Sequence, residues 1–128
     1  MPYRNILLID DDEDDREIFQ AAVEKLDQPI NCIVLKNAGE ALDLLRANQL
    51  NADLIFLDLN MPGMNGQQFL LEIKRIEDLK HIPIIILSTS SHSSTIEITK
   101  DLGAMDFFSK PDKFEDLIGI LRSVLVDE

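Results

Sequence analysis

Five times along this chain a short apolar run gives way to a segment whose apolar residues recur at helical spacing. That alternation constrains the fold more than any other feature. The runs are NILLI (5–9), INCIVL (30–35), DLIFLDL (53–59), IPIIILS (82–88) and MDFFS (105–109). They begin roughly 20 to 30 residues apart, the length of a strand plus a returning helix. They are continuously apolar rather than alternating, as strands covered on both faces of a parallel sheet must be. Between them, Ile18, Phe19, Ala22, Val23 and Leu26 mark one helix face, Ala41, Leu42 and Leu45 a second, and Phe69, Leu70, Ile73 and Ile76 a third. The fourth helix, within SSHSSTIEITKDLG (90–103), is weaker and is expected to be the most mobile element: it opens on serines, holds Ile96, Ile98 and Leu102, and stops at Gly103, a residue suited to a left-handed cap. The fifth carries the strongest stripe, Phe114, Leu117, Ile118, Leu121, Val124 and Leu125, preceded by Asp112 and Glu115 at the spacing of a capping box.

A βα unit repeated five times predicts an α/β domain with helices on both faces of one sheet. Right-handed crossovers restrict it to a doubly wound five-stranded parallel sheet, in the order 2-1-3-4-5. At 128 residues the chain is read as one domain, 1–128, with no output domain, because the fifth helix runs to Val126. No apolar run reaches the ~18 to 20 residues of a membrane span, and the start MPYRNILLIDDD is charged too early for a secretory signal, so a cytoplasmic location is expected. The single Cys32, within INCIVL, reads as a small buried thiol, and no disulfide framework is possible. With 24 acidic against 12 basic residues the net charge is −12, which repels nucleic acid and anionic lipid and favours a protein or a cation as partner; the plainer alternative is that the charge only keeps the domain soluble.

The acids are not spread evenly. LLIDDDEDDREIF (7–19) sets six acidic residues in a row between the first strand and the first helix. In the predicted sheet a ligand site forms beyond the carboxyl ends of strands 1 and 3, where the winding reverses. Strand 1 ends in Asp10 and Asp11, and strand 3 ends in Asp58, followed by Leu59 and Asn60. Two like charges ~4 Å apart cost on the order of 4 kcal/mol at an effective dielectric near 20. A hard cation relieves that repulsion, and an all-oxygen donor set points to Mg²⁺. Asp12 to Asp15, by contrast, lie at the start of helix 1, where carboxylates cap N–H groups and complement the helix dipole. That all six acids merely cap and solvate is the plainer alternative, and the third acid at the end of strand 3 weighs against it. An EF-hand is excluded, because its sixth loop position would be Asp15 instead of Gly and its twelfth Ala21 instead of Glu.

Taken together, these residues resemble the receiver domain of two-component response regulators over essentially the whole chain. The family's acid pair after strand 1 matches Asp10 and Asp11, and its phospho-accepting aspartate before an x-x-Met-Pro turn matches Asp58 in DLNMPGMNG. Its strand-4 hydroxyl matches Ser88 in IIILSTS, and its Lys-Pro after strand 5 matches Lys110 and Pro111. The resemblance implies that Asp58 attacks the phosphohistidine of a sensor histidine kinase. It also implies Mg²⁺ held by Asp11, Asp58 and the backbone carbonyl of Asn60, with Asp10 through water, while Lys110 supplies a point charge to a phosphoryl oxygen. Ser88 then donates a hydrogen bond only when phosphate is present, and Phe107 on strand 5 swings inward as the readout. It further implies a cis bond between Lys110 and Pro111, although trans is the default for any sequence. Plainer readings make Phe107 a core aromatic, Lys110 a surface lysine and Ser88 a strand-end hydroxyl. His81 and His92, isolated on loops, receive no role.

The sequence departs from the family's pattern in three places. Phe107 lacks the phenolic hydroxyl of the commoner Tyr, Thr89 is bulkier than the usual small residue, and Asn65 replaces a frequent Asp, though it can equally cap helix 3. The expected output is partner binding through helix 4, strand 5 and helix 5, as a monomer or a phosphorylation-linked homodimer. The alternative is relay of the phosphoryl group to a histidine phosphotransfer protein. The acidic run also resembles that of stand-alone receivers paired with phytochrome-type kinases.

Rival classes fare worse. An aspartate-based phosphatase needs a second Asp two residues after Asp58, where this chain has Asn60, so a turnover enzyme is not expected. A flavodoxin-like cofactor binder needs a glycine loop after strand 1, where acids would repel phosphate. A scaffold with a dead site would not need Asp11, Asp58, Ser88 and Lys110 together.

Overall fold

The computed structural model describes residues 3–90 and 92–126. The start of the terminus judged against a secretory signal, residues 1 and 2, and Ser91 of the serine-rich opening to the fourth helix lie outside the described residues. Five strands alternate with five helices: β1 (Asn5–Ile9), α1 (Glu13–Lys25), β2 (Asn31–Leu35), α2 (Ala38–Arg46), β3 (Leu54–Leu57), α3 (Gly66–Lys74), β4 (Ile84–Ser88), α4 (Ser93–Asp101), β5 (Asp106–Ser109) and α5 (Phe114–Leu125). All strand pairs are parallel, in the order β2-β1-β3-β4-β5, as expected.

The continuous apolar runs of the three central strands, β1, β3 and β4, are buried on both faces of the sheet, whereas the edge strands β2 and β5 are half-buried to exposed. Leu7, Ile9, Ile55, Leu57, Ile84 and Ile86 point to the side covered by α2 and α3, where Ala41, Leu42, Phe69 and Ile73 meet them. Their neighbours Ile6, Leu8, Leu54, Phe56, Ile85 and Leu87 point to the side covered by α1 and α5, against Phe19, Ala22, Leu117 and Leu121. Each side chain alternates faces with period two, so one strand feeds two cores.

Several expectations need correction. Ile18 is 46% exposed, because the buried stripe of α1 runs through Phe19, Ala22, Val23 and Leu26 and Ile18 lies on its edge. Ile98 is also 46% exposed: it sits two residues from the half-buried Ile96, and positions two apart on a helix face nearly opposite ways. The one buried residue of α4 is Thr99, whose hydroxyl donates back to the carbonyls of Thr95 and Ile96 at 3.1 and 3.0 Å. The capping box expected at Asp112 and Glu115 does not form; α5 is N-capped at Lys113 without a side-chain bond.

Other terminators act as expected. Asn65 accepts from the Gln68 N–H at 2.9 Å while the Gln68 side chain accepts from the Asn65 N–H at 2.8 Å, a full capping box on α3. Gly103 takes φ +105° just after α4. The Lys110–Pro111 bond is trans, as are all peptide bonds among the described residues, so the implied cis bond is not present; trans is the lower-energy form of an X–Pro bond.

Candidate phosphoacceptor and cation site

The site is positioned by the last hydrogen bonds of the sheet. The Asp10 N–H donates to the Leu35 carbonyl at 3.0 Å, the Asp58 N–H to the Ile9 carbonyl at 3.0 Å, and the Lys110 N–H to the Ser88 carbonyl at 2.8 Å. Each backbone bond lies one step past the strand end and fixes the direction in which its side chain leaves. Three segments distant in sequence are thereby aimed at one cleft, between β1 and β3, where the strand order reverses.

In that cleft Asp10, Asp11 and Asp58 each place a carboxylate oxygen within 4.8 Å of the others. Asp10 and Asp58 are 1% and 4% exposed, whereas Asp11 faces solvent. Burial raises the Asp58 carboxyl to about 6; Lys110 opposes the rise, the negative charge of Asp10 adds to it, the Asn60 N–H opposes it and Asp11 adds a little more. Asp10 is also raised, by burial first, against hydrogen bonds from Lys110 and the Asp12 N–H. A site that disfavours its own ionised carboxylates stands to gain from a divalent cation, and three oxygens on a partly open cleft fit a hard ion that keeps some of its water. The acidic cluster therefore has the composition and spacing to bind a divalent metal.

Lys110 completes the cluster. Its ammonium donates to Asp10 Oδ2 and to Asp15 Oδ2, both at 2.8 Å, and stands 3.7 Å from Asp58 Oδ1. Burial would lower the lysine, but the hydrogen bonds from Nζ to Asp10 and Asp15 and the charges of Asp10 and Asp58 outweigh it, so Lys110 stays cationic. For Asp10 burial wins over the lysine; for Lys110 the two close carboxylates win over burial. One cation shared among three anions leaves the site short of positive charge.

Ser88 is fully buried at the end of β4, and its Oγ accepts from the Ser90 N–H at 3.2 Å, tying the hydroxyl to the β4–α4 loop. Phe107 is half-buried on β5 against the α2–α3 side of the core, and Asn60 and Thr89 are exposed. Reading the sequence brings together Asp10, Asp11, Asp58 and Lys110. It misses three residues. Asp15, assigned to the helix dipole, is a direct partner of Lys110. Arg16 donates from its guanidinium to the Asp10 carbonyl at 2.9 Å. Gly66 lets α3 start against the end of β3: a Cβ there would lie 2.8 Å from Leu59 Cα and closer still to the Asp58 carbonyl oxygen. Only Gly66 leaves a trace in the sequence, as the second glycine of DLNMPGMNG; the partners of Asp15 and Arg16 are set by tertiary contact. Beside the cluster a cavity of about 220 Å³ runs between α1 and α5, walled by Ile18, Phe19, Leu87, Phe114 and Leu117 with Asp15 and Lys110 at its rim.

The fold and the cleft define a doubly wound parallel α/β domain, with its acids at the switch point and a lysine across from them. The chain belongs to the response regulator receiver domain family, which matches residues 6–122. It is 28% identical to response regulator Rcp1 of Synechocystis sp., over 96% of this chain and 87% of that protein. It is also 28% identical to two-component response regulator ORR8 of Oryza sativa, over 94% of this chain and 97% of that one. The Mn²⁺-bound form of Rcp1 superposes with a TM-score of 0.89, covering 98% of this chain and 96% of that one at 28% identity. The phosphorylated cyanobacterial phytochrome response regulator RcpA does so with 0.87, covering 95% and 91% at 31% identity. Among the described residues no helix is long and apolar enough to cross a membrane.

Proposed function

We propose that this chain is a two-component receiver that takes a phosphoryl group on Asp58 from a sensor histidine kinase in the presence of Mg²⁺. The observation that carries the reading is the convergence of Asp10, Asp11 and Asp58 within 4.8 Å, with the Lys110 ammonium 3.7 Å from Asp58. A carboxylate oxygen of Asp58 attacks the phosphorus of the donor phosphohistidine. The new P–O bond forms as the P–N bond breaks, and the leaving imidazole takes a proton from solvent. Asp11, Asp58 and the Asn60 carbonyl would hold the cation. Asp10, whose two oxygens already accept from the Asp12 N–H and from Lys110, suits contact through water. When bound, the ion neutralises the charge of the carboxylates and of the incoming phosphoryl oxygens.

Lys110 is within a short side-chain movement of a phosphoryl group on Asp58 and binds it as a point charge. Ser88, now an acceptor for the Ser90 N–H, keeps its own hydroxyl proton for a phosphoryl oxygen. Using it draws the β4–α4 loop toward the cleft, and the half-buried Phe107 follows, altering the surface of α4, β5 and α5 for a partner. Phosphorylation is self-limited rather than a turnover reaction. The relatedness to a phytochrome response regulator supports a phytochrome-type kinase as the donor.

Acetyl phosphate with Mg²⁺ is expected to add one phosphoryl group to the intact protein by mass, and Asp58→Asn to abolish it. Undiminished labelling of that variant refutes the assignment. Steady release of phosphate from a phosphomonoester would place the chain among enzymes instead.

A further inference from the structure

We infer that Asp15 is a positioning residue that restrains Lys110, withholding part of its charge from Asp58 until a phosphoryl group competes for it. The inference rests on the phosphoacceptor reading of Asp58. An ammonium has three N–H donors. Two of them are spent at full hydrogen-bond distance, 2.8 Å, on Asp10 Oδ2 and Asp15 Oδ2, while Asp58 Oδ1 at 3.7 Å lies beyond hydrogen-bond reach. The lysine is thus turned toward α1 and away from the residue it serves.

The two close partners are not equivalent. The Asp10 side chain is 2% exposed and the Asp15 side chain 38% exposed. Leaving Asp10 would strand a buried carboxylate, whereas a released Asp15 is rehydrated at once. Asp15 is therefore the partner Lys110 gives up. It is also held firmly: as the third residue of α1 it projects from a regular helix, and its N–H donates to the N-cap Asp12 at 3.2 Å. Arg16, the nearest other cation in sequence, donates to the Asp10 carbonyl. The restraint belongs to the helix frame rather than to a loop, and it sets how readily the lysine turns to Asp58.

The test compares Asp15→Asn, which keeps the shape and removes the charge, with Asp15→Glu, which restores the charge. Asp14→Asn serves as a control, because it removes an equal charge one residue away on an exposed side chain whose carboxylate makes no bond to Lys110. With acetyl phosphate and Mg²⁺, Asp15→Asn is expected to raise the maximal labelling rate roughly two- to fivefold, the range for losing one partly exposed ion pair. The Mg²⁺ concentration for half-maximal rate should not change, Asp15→Glu should return the rate toward the parent value, and Asp14→Asn should leave it alone. A crystal structure of Asp15→Asn should show the Lys110 ammonium within hydrogen-bond distance of Asp58. An equal or lower rate in a chain that labels normally overturns the inference, as does an acceleration shared by Asp14→Asn or a lysine that keeps its place. Should the parent protein take no label while the lysine moves as stated, the phosphoacceptor reading of Asp58 falls and the restraint stands.

Discussion

At the scale of single residues the cleft is a conflict between burial and charge, and Asp58 bears most of it. Its carboxyl is raised from 3.8 to about 6, so the fold binds that proton more tightly than the unfolded chain does. For a raised carboxyl the associated stability is complete below the unfolded value and is lost as pH climbs through about 6. In chelator near pH 7, Asp58→Asn should therefore stabilise the domain, by on the order of 1–3 kcal/mol. Thermal melts should show the advantage shrinking as pH falls from about 7 toward 4, where the parent's Asp58 becomes neutral too. A flat difference across that range would mean that burial does not raise the Asp58 carboxyl. Cys32 offers a contrast: burial pushes its thiol up to about 12, so alkylation of the native protein near pH 8 should be far slower than that of the unfolded chain. Asp10, Asp11 and Asp58 were legible because each follows a strand end, and strand ends are fixed by topology; Lys110 was legible through its resemblance to the family's Lys-Pro. The partnership of Asp15 with Lys110 was not, because it joins residues 95 apart whose meeting depends on the angle at which α1 leaves the sheet.

At the scale of elements the alternation of apolar run and helical stripe gave every strand and helix, while the ends proved less readable. The expected third strand, 53–59, contracts to Leu54–Leu57: the register with β1 ends at Leu57, and beyond it the Asp58 N–H makes one last bond to the Ile9 carbonyl as its side chain enters the cleft. The sequence marks apolar character but not where the pairing stops. Likewise Asp112 and Glu115 carry a capping pattern that the β5–α5 connection does not use. The junction that matters most is β3 to α3. The Gly66 N–H donates to the Leu59 carbonyl at 3.1 Å, and the contact leaves no room for a side chain. Gly66→Ala should therefore push α3 off the strand end, destabilising the domain by about 1–3 kcal/mol, as overpacking does. Because the atom displaced is the carbonyl of Asp58 itself, Mn²⁺ affinity should fall as well. Asn65→Ala, which breaks the capping box one residue earlier, should cost about 1 kcal/mol and spare metal affinity. Equal effects of the two on metal binding would show that α3 as a whole, and not the Gly66 contact, holds the site in shape.

At the scale of the whole molecule, the net charge is −12 and three of the acids, Asp10, Asp11 and Asp58, converge at one end of the sheet, so a divalent ion should act as part of the fold. The cores on either side of the sheet are closed by apolar contact and need no cation. The cleft is different: its three carboxylates are brought together by strands that pair for other reasons, so the repulsion is carried by the folded state alone. An ion that binds this state and not the unfolded chain stabilises it by RT ln(1 + [L]/Kd), about 2.7 kcal/mol at a concentration of 100 Kd. For a domain of this size that is a rise in Tm of roughly 10 °C. Chelator should reverse the rise. Monovalent salt at equal ionic strength should give only the smaller gain expected from screening exposed charge. The decisive comparison is Asp11→Asn, which removes the exposed carboxylate of the cluster and leaves both cores intact. If the divalent gain survives in that variant, the ion is acting on the acidic surface at large and not in the cleft. If the gain is lost while the chelator-treated Tm stays at or above the parent's, charge built into the fold for the sake of the ion is what separates the two states.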